Sequence, residues 1–301
     1  MGDQVEIEVP ESLDGARVDK VIAETFGISR ALASEVVAEG VYIDGAPVQG
    51  ADRVFARQVL VSSPPKPTSD LVPEPVEFGV LYEDDHLIVV DKPAGVVVHP
   101  GTGRSKGTLA AGLLYRFPDL EGVGAAGRRG LVHRLDKDTS GALLVARTQE
   151  DHEKLTEDLR RRRITRIYTA LAEGAMAAPT GTIEAPIGRD PSRPMRRVVT
   201  HGGKSARTHF EVVRYYPGSD VTLLSIRLET GRTHQIRVHL SAIEHPVVGD
   251  LTYGSTRKDI GSPRTFLHAS TVELAHPATG EQLRVTAPLP DDLERVLATL
   301  T

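Results

Sequence analysis

The segment SSPPKPTSDLVPEP, Ser62 to Pro75, constrains the fold more than any other. Its five prolines lock φ and remove backbone donors, so neither a helix nor a central strand can run through it. It reads as an extended linker. The chain then divides into a small module, residues 1–62, a proline-rich linker, residues 63–78, and a large body, residues 79–301. A length of 301 residues fits about two domains.

The small module opens with the alternating strand VEIEV. RVDKVIAETF and SRALASEVVAEG read as two short helices, the second with Ser29 as N-cap and Gly40 as its stop. VYIDGAPV reads as strand, Asp-Gly turn and strand.

In the body, HLIVVDKP is a buried strand and GTLAAGLLYRF a helix. ALLVARTQ is a strand, and EDHEKLTEDLRRRR is an amphipathic helix. ITRIYTALAEG, KSARTHFEVVRYY and DVTLLSIRLETG are strands. THQIRVHLSAI is a helix that stops near His245-Pro246. Strands outnumber helices and no regular βαβ period is visible. The expected fold class is α+β, with a mixed, largely antiparallel sheet in the body and a small N-terminal α/β module.

Composition excludes several chemistries. With no cysteine, disulfides, thiolate metal sites and a cysteine nucleophile are out. The acidic start MGDQVEIEVP carries no secretory signal, and no apolar run approaches the ~20 residues of a membrane helix. A soluble, cytoplasmic protein is expected. Residues 1–70 hold six Lys/Arg against twelve Asp/Glu. The remainder is near balance, but its positives cluster at Arg160–Arg163 and between Arg189 and Arg207. Such clusters suit a polyanion, or the Arg160–Arg163 run is a cationic helix end.

The string HRLDKDTSG, His133 to Gly141, imitates the opening of a calcium loop with Asp136, Asp138 and Ser140. The twelfth position, which needs a bidentate Glu, is Arg147, and this argues against calcium. His234 and His239 are five apart with no intervening Glu, which is not a zinc-protease helix. HPGTGRSKGT, His99 to Thr108, is either a loop touching a nucleic-acid backbone or a plain turn. Asp136 itself is expected in a loop between two apolar strands, LVHRL and ALLVA. Arg134 and Lys137 favour its ionised form, and Thr139 and Ser140 can satisfy loop donors. An aspartate so placed is either an Asx-turn residue or a nucleophile or base.

The whole string HRLDKDTSG resembles the signature of the RluA/RluD-type pseudouridine synthases. EDDHLIVVDKPAGVVVHP, GTL, ITRIYTALAEG, GRTHQIRVHL, HPVVGDLTYG and FLHA follow in the family's order. The front module resembles an S4-like RNA-binding module, although its acidity departs from that pattern. The resemblance implies isomerisation of uridine in RNA, most of all in large-subunit ribosomal RNA, by a monomer without cofactor, metal or membrane. Transfer RNA or another RNA is the alternative substrate, and a non-catalytic assembly factor the alternative class. It implies that Asp136 is the catalytic aspartate, that Tyr168 packs on the target base and assists proton removal, and that Arg237 orients Asp136. Leu267 is expected under the base, and Arg134 in the gap left by the flipped nucleotide. His133 and Lys137 join the substrate-binding set. Extruding the base costs a few kcal/mol, and stacking it on a ring recovers ~1–3 kcal/mol.

Overall fold

The computed structural model describes residues 4–26, 30–63, 71–99, 106–124, 129–193 and 195–301. These form two compact units, one ending at Val72 and the other running from Pro73 to Thr301.

The first unit contains β1 (Val5–Glu8), β2 (Ala16–Arg17), α1 (Val18–Thr25), α2 (Arg30–Gly40), β3 (Val41–Ile43), β4 (Ala46–Val48), β5 (Arg53–Val54) and β6 (Val59–Ser62). Its four-stranded sheet runs β1-β6-β3-β4, and β2 pairs with β5. Each helix buries one stripe: Val18, Val21 and Ile22 from α1, and Ala33, Val36 and Val37 from α2. The i, i+3, i+4 spacing puts each set on one face. Between β3 and β4, Asp44 and Gly45 both have positive φ, 51° and 79°. This is the two-residue hairpin turn that matches strand twist. Ser29, the expected N-cap of α2, lies outside the described residues. Among the described side chains the cations here are engaged: Arg17 with Asp19, Lys20 with Glu24, Arg57 with Glu11, and Arg53 with the Gly15 carbonyl.

The second unit begins with β7 (Gly79–Glu83), β8 (Leu87–Lys92), α3 (Leu109–Arg116), β9 (Ser140–Ala146), α4 (Gln149–Arg160) and β10 (Thr165–Glu173). It continues through β11 (Thr180–Glu184), β12 (Ile187–Arg189), β13 (Arg197–Val199), β14 (Arg207–Tyr216) and β15 (Val221–Leu228). It ends with α5 (Gln235–Ala242), β16 (Leu267–Ala275), β17 (Gln282–Thr286) and α6 (Asp291–Thr299). Nine strands form one sheet, ordered β11-β14-β15-β10-β16-β9-β8-β7, with β17 also on β16. Its pairings are antiparallel except β9 with β16, so the fold is mixed and largely antiparallel as expected. β9 is buried along its whole length, as a strand covered on both faces must be. Among the described residues no helix is long and apolar enough to cross a membrane.

Several expectations change. LVHRL forms no strand; Leu131 makes only an isolated bridge to Val145. Asp136 therefore sits in an irregular segment feeding β9, not between two strands. In the loop from His99 to Thr108, residues 100–105 lie outside the described set. At its end, Gly107 N–H donates to the Glu74 carboxylate at 2.5 Å, and Thr108 caps α3 by accepting from Ala111 N–H. The Arg160–Arg163 run ends α4. Its members pair with acids: Arg160 and Arg161 with Glu157, Arg162 with Glu229, and Arg163 with Asp158.

Candidate active site

Three adjacent strands, β10, β16 and β9, bring the predicted residues together. Asp136 immediately precedes β9, Tyr168 lies on β10 and Leu267 opens β16. All three line one cavity of about 550 Å³. The β9–β16 pairing is parallel and short, His268 with Ser140 and Ala269 with Gly141. Gly141 makes it possible: with φ of 111°, a Cβ there would lie 2.2 Å from the Ala269 carbonyl oxygen. The last residue of HRLDKDTSG is thus a close backbone approach. Between Ile167 and Thr169 the β10–β16 register shifts, and Tyr168 sits at that irregularity, where sheets commonly re-aim a side chain.

The carboxylate is held from α5. Arg237 Nη1 donates to Asp136 Oδ2 at 3.1 Å, while its Nε and Nη2 grip Asp250 at 2.6 and 2.9 Å. Asp250 is nearly sealed, its side chain 1% exposed. It also accepts from the Thr252 and Tyr253 N–H groups. A bidentate carboxylate fixes the plane of the guanidinium, and that plane in turn sets Asp136. Burial would lower the Arg237 pKa, but Asp250 and then Asp136 outweigh it, and the net shift is upward.

His234 adds a second contact. It has a left-handed backbone, φ 58°, and its Nε2 lies 3.9 Å from Asp136 Oδ1. Tyr253 OH accepts the Arg197 N–H at 2.9 Å and meets His234 Nδ1 at 2.8 Å. With Tyr253 donating to Nδ1, the neutral ring carries its proton on Nε2, toward Asp136. Burial lowers the His234 pKa, with Asp136 opposing and Arg237 reinforcing the fall.

The segment behind Asp136 is held by cations. Lys92, at the end of β8, is 0% exposed. Its Nζ donates to the carbonyls of Pro93, Val96 and Lys137 at 2.7, 2.9 and 3.0 Å. Burial pushes the ammonium down to about 7, with Asp138 and Asp136 countering. Arg264 donates to the Asp138 carbonyl at 2.9 Å and pairs with Asp292 of α6. All three ammonium donors of Lys92 are satisfied, which a buried charge requires.

Tyr168 is 5% exposed. Burial raises its hydroxyl pKa, Arg166 opposes the rise and Asp136 adds to it. Arg134 is exposed and lines the cavity mouth. His133 also lines the cavity, but its Nε2 is spent accepting the Leu144 N–H at 3.2 Å. Burial pushes that ring down to about 3, so it is neutral at working pH.

Lys137 is placed differently from the rest of the predicted set. Its side chain is exposed and not part of the cavity wall; its contribution is the carbonyl held by Lys92 and by Gly95 N–H. Nor do Arg134 and Lys137 pair with Asp136, whose ion pair among the described residues is with Arg237, the neutral His234 ring lying beside it. The Asp136 carboxylate accepts no backbone N–H there, so it is not an Asx-turn residue. Ser140 does not satisfy loop donors either, because its hydroxyl meets His268 and accepts from Arg264.

Sequence reasoning assigned no role to Lys92, His234, Asp250, Tyr253 or Arg264. Four of them stood in quoted segments, DKP, GRTHQIR and HPVVGDLTYG, but nothing local marks which acid an arginine one helix away will grip.

The arrangement is a carboxylate fixed by a guanidinium, facing a phenol and an apolar side chain across a cavity wide enough for one nucleotide. The family model described as RNA pseudouridylate synthase matches residues 86–242, and the chain belongs to this family. It is 41% identical over 300 residues to an uncharacterized RNA pseudouridine synthase of Bacillus subtilis, YlyB, with 99% of this chain and 98% of that protein covered. It is 42% identical over 307 residues to ribosomal large subunit pseudouridine synthase D of Xanthomonas campestris, with 97% and 91% covered. Among solved structures, human RNA pseudouridylate synthase domain containing 1 superposes with a TM-score of 0.59 at 32% identity, covering 74% of this chain and 89% of that one.

Proposed function

We propose that this chain converts uridine to pseudouridine in large-subunit ribosomal RNA, using Asp136 and no cofactor. The observation that carries the reading is the Asp136 carboxylate, held by Arg237 inside a cavity that Tyr168 and Leu267 also line. Relatives named ribosomal large subunit pseudouridine synthase D support the choice of RNA.

The reaction breaks N1–C1′, turns the uracil and forms C5–C1′; a proton leaves C5 and one is gained at N1. Arg237 engages Oδ2, which leaves Oδ1 to act. Oδ1 either attacks the sugar or base covalently or removes a sugar proton. Tyr168 and Leu267 pack on the extruded base, and Arg134 fills the space it vacates. The small unit keeps the helix-helix-hairpin order of an S4-like module, and we assign it an accessory part in RNA docking, because Arg17, Lys20 and Arg57 are paired with its own acids. The protein works as a cytoplasmic monomer, without metal or membrane.

Purified protein incubated with a ribosomal RNA transcript should yield pseudouridine at a discrete position. Asp136→Asn should lower the rate by about 10²–10⁴-fold while RNA binding persists. Product from Asp136→Asn at the wild-type rate, or none from wild type on any RNA it binds, ends the reading.

A further inference from the structure

One buried cation in the cavity wall has no acceptor among the described residues. Arg166 is 6% exposed, its Nε is fully enclosed, and its guanidinium makes no hydrogen bond or ion pair with any described residue. Its side chain lines the cavity that holds Asp136 and Tyr168. Arg166 lies two residues before Tyr168 on β10, and both are buried where Ile167 between them is not, so the two share a face of the strand.

A desolvated guanidinium without a counter-charge is strongly unfavourable, and arginine does not escape by losing its proton. The carboxylates lining this cavity are committed elsewhere: Asp136 to Arg237, and Glu229 to Arg162, Arg207 and His209. Uracil is neutral. The anion that an RNA substrate brings is phosphate, and Arg134, Arg160, Arg162 and Arg232 around the cavity draw a polyanion inward.

We propose that Arg166 forms a phosphate subsite in the cavity wall, which takes the backbone phosphate beside the extruded uridine. The nucleotide is then held at two ends, its phosphate by Arg166 and its base by Tyr168 and Leu267. This rests on RNA being the substrate. Arg166 is a positioning residue, and the chemistry stays with Asp136.

The test compares wild type, Arg166→Met and Arg166→Lys on one transcript, measuring melting temperature, turnover, and RNA affinity across a salt series. In Arg166→Met the melting temperature should equal or exceed wild type, because an uncompensated buried charge is gone. RNA affinity should fall about 10- to 100-fold, and the plot of log affinity against log salt should be shallower by about 0.7, one single-strand phosphate contact. Arg166→Lys should keep the wild-type slope and recover part of the affinity. Unchanged affinity and slope in Arg166→Met overturn the subsite. So does lost turnover with an unchanged slope, which means an uncharged contact, and so does a lowered melting temperature, which means the cation is internally compensated. A wild type that binds the transcript but forms no pseudouridine defeats the functional reading instead, and the salt slope still judges the subsite.

Discussion

Lys92 and Arg166 are both buried cations on strands of the same sheet, and both bear on the Asp136 cavity. They differ in their partners. The Lys92 ammonium spends its three donors on three carbonyls, whereas the Arg166 guanidinium has no acceptor among the described residues. A buried charge with a full set of partners ties chain segments together. One without them adds no stability to the fold and awaits a ligand. The contrast separates what builds this site from what receives substrate.

Lys92→Met should give the largest effect. It strands the carbonyls of Pro93, Val96 and Lys137, each costing about 1–3 kcal/mol, and removal of the buried charge offsets part of that. A net loss of about 3 kcal/mol is expected, opposite in sign to Arg166→Met, read as denaturation midpoints of both variants. A Lys92→Met protein as stable as wild type would break the comparison.

Asp250→Asn sharpens it on the catalytic side. The guanidinium of Arg237 keeps its charge but loses the anionic fork that fixes its plane. Turnover should fall roughly 100-fold, about 2.7 kcal/mol in barrier, with RNA affinity unchanged. Unaltered turnover would mean Arg237 orients Asp136 without help.

At neutral pH, where the ring is already uncharged, His133→Gln should give the smallest effect. The folded ring titrates at about 3 and the unfolded one near 6.5. The unfolded state therefore binds the extra proton between those values. Stability is full above pH 6.5 and declines as pH falls toward 3. Glutamine keeps an acceptor for Leu144 N–H and does not titrate, so the acid limb of the stability profile should flatten in that window. An unchanged limb would mean another group produces it.

What was legible in the chain followed from local rules. Continuous apolar runs marked β8 and β9; a 3.6-residue stripe marked α4; Asp-Gly marked the β3–β4 turn. HRLDKDTSG picked out Asp136 because a contiguous string survives any fold. LVHRL failed as a strand because an apolar run reports burial, and this segment is buried while making only one bridge. Arg134 and Lys137 failed as the charges on Asp136 because both side chains are exposed, while the Asp136 carboxylate is half-buried against Arg237.

The sequence by itself determined the two-part division at the prolines, the mixed sheet, the family resemblance, and Asp136, Tyr168, Arg237 and Leu267 as the residues to watch. Only the tertiary structure decided that Asp250 steadies Arg237, that Lys92 and Arg264 hold the segment from behind, and that Arg166 is left without an acceptor among the described residues. Hydrogen bonding between residues tens of positions apart depends on which strands become neighbours. No local pattern encodes whether a given buried donor will find its acceptor.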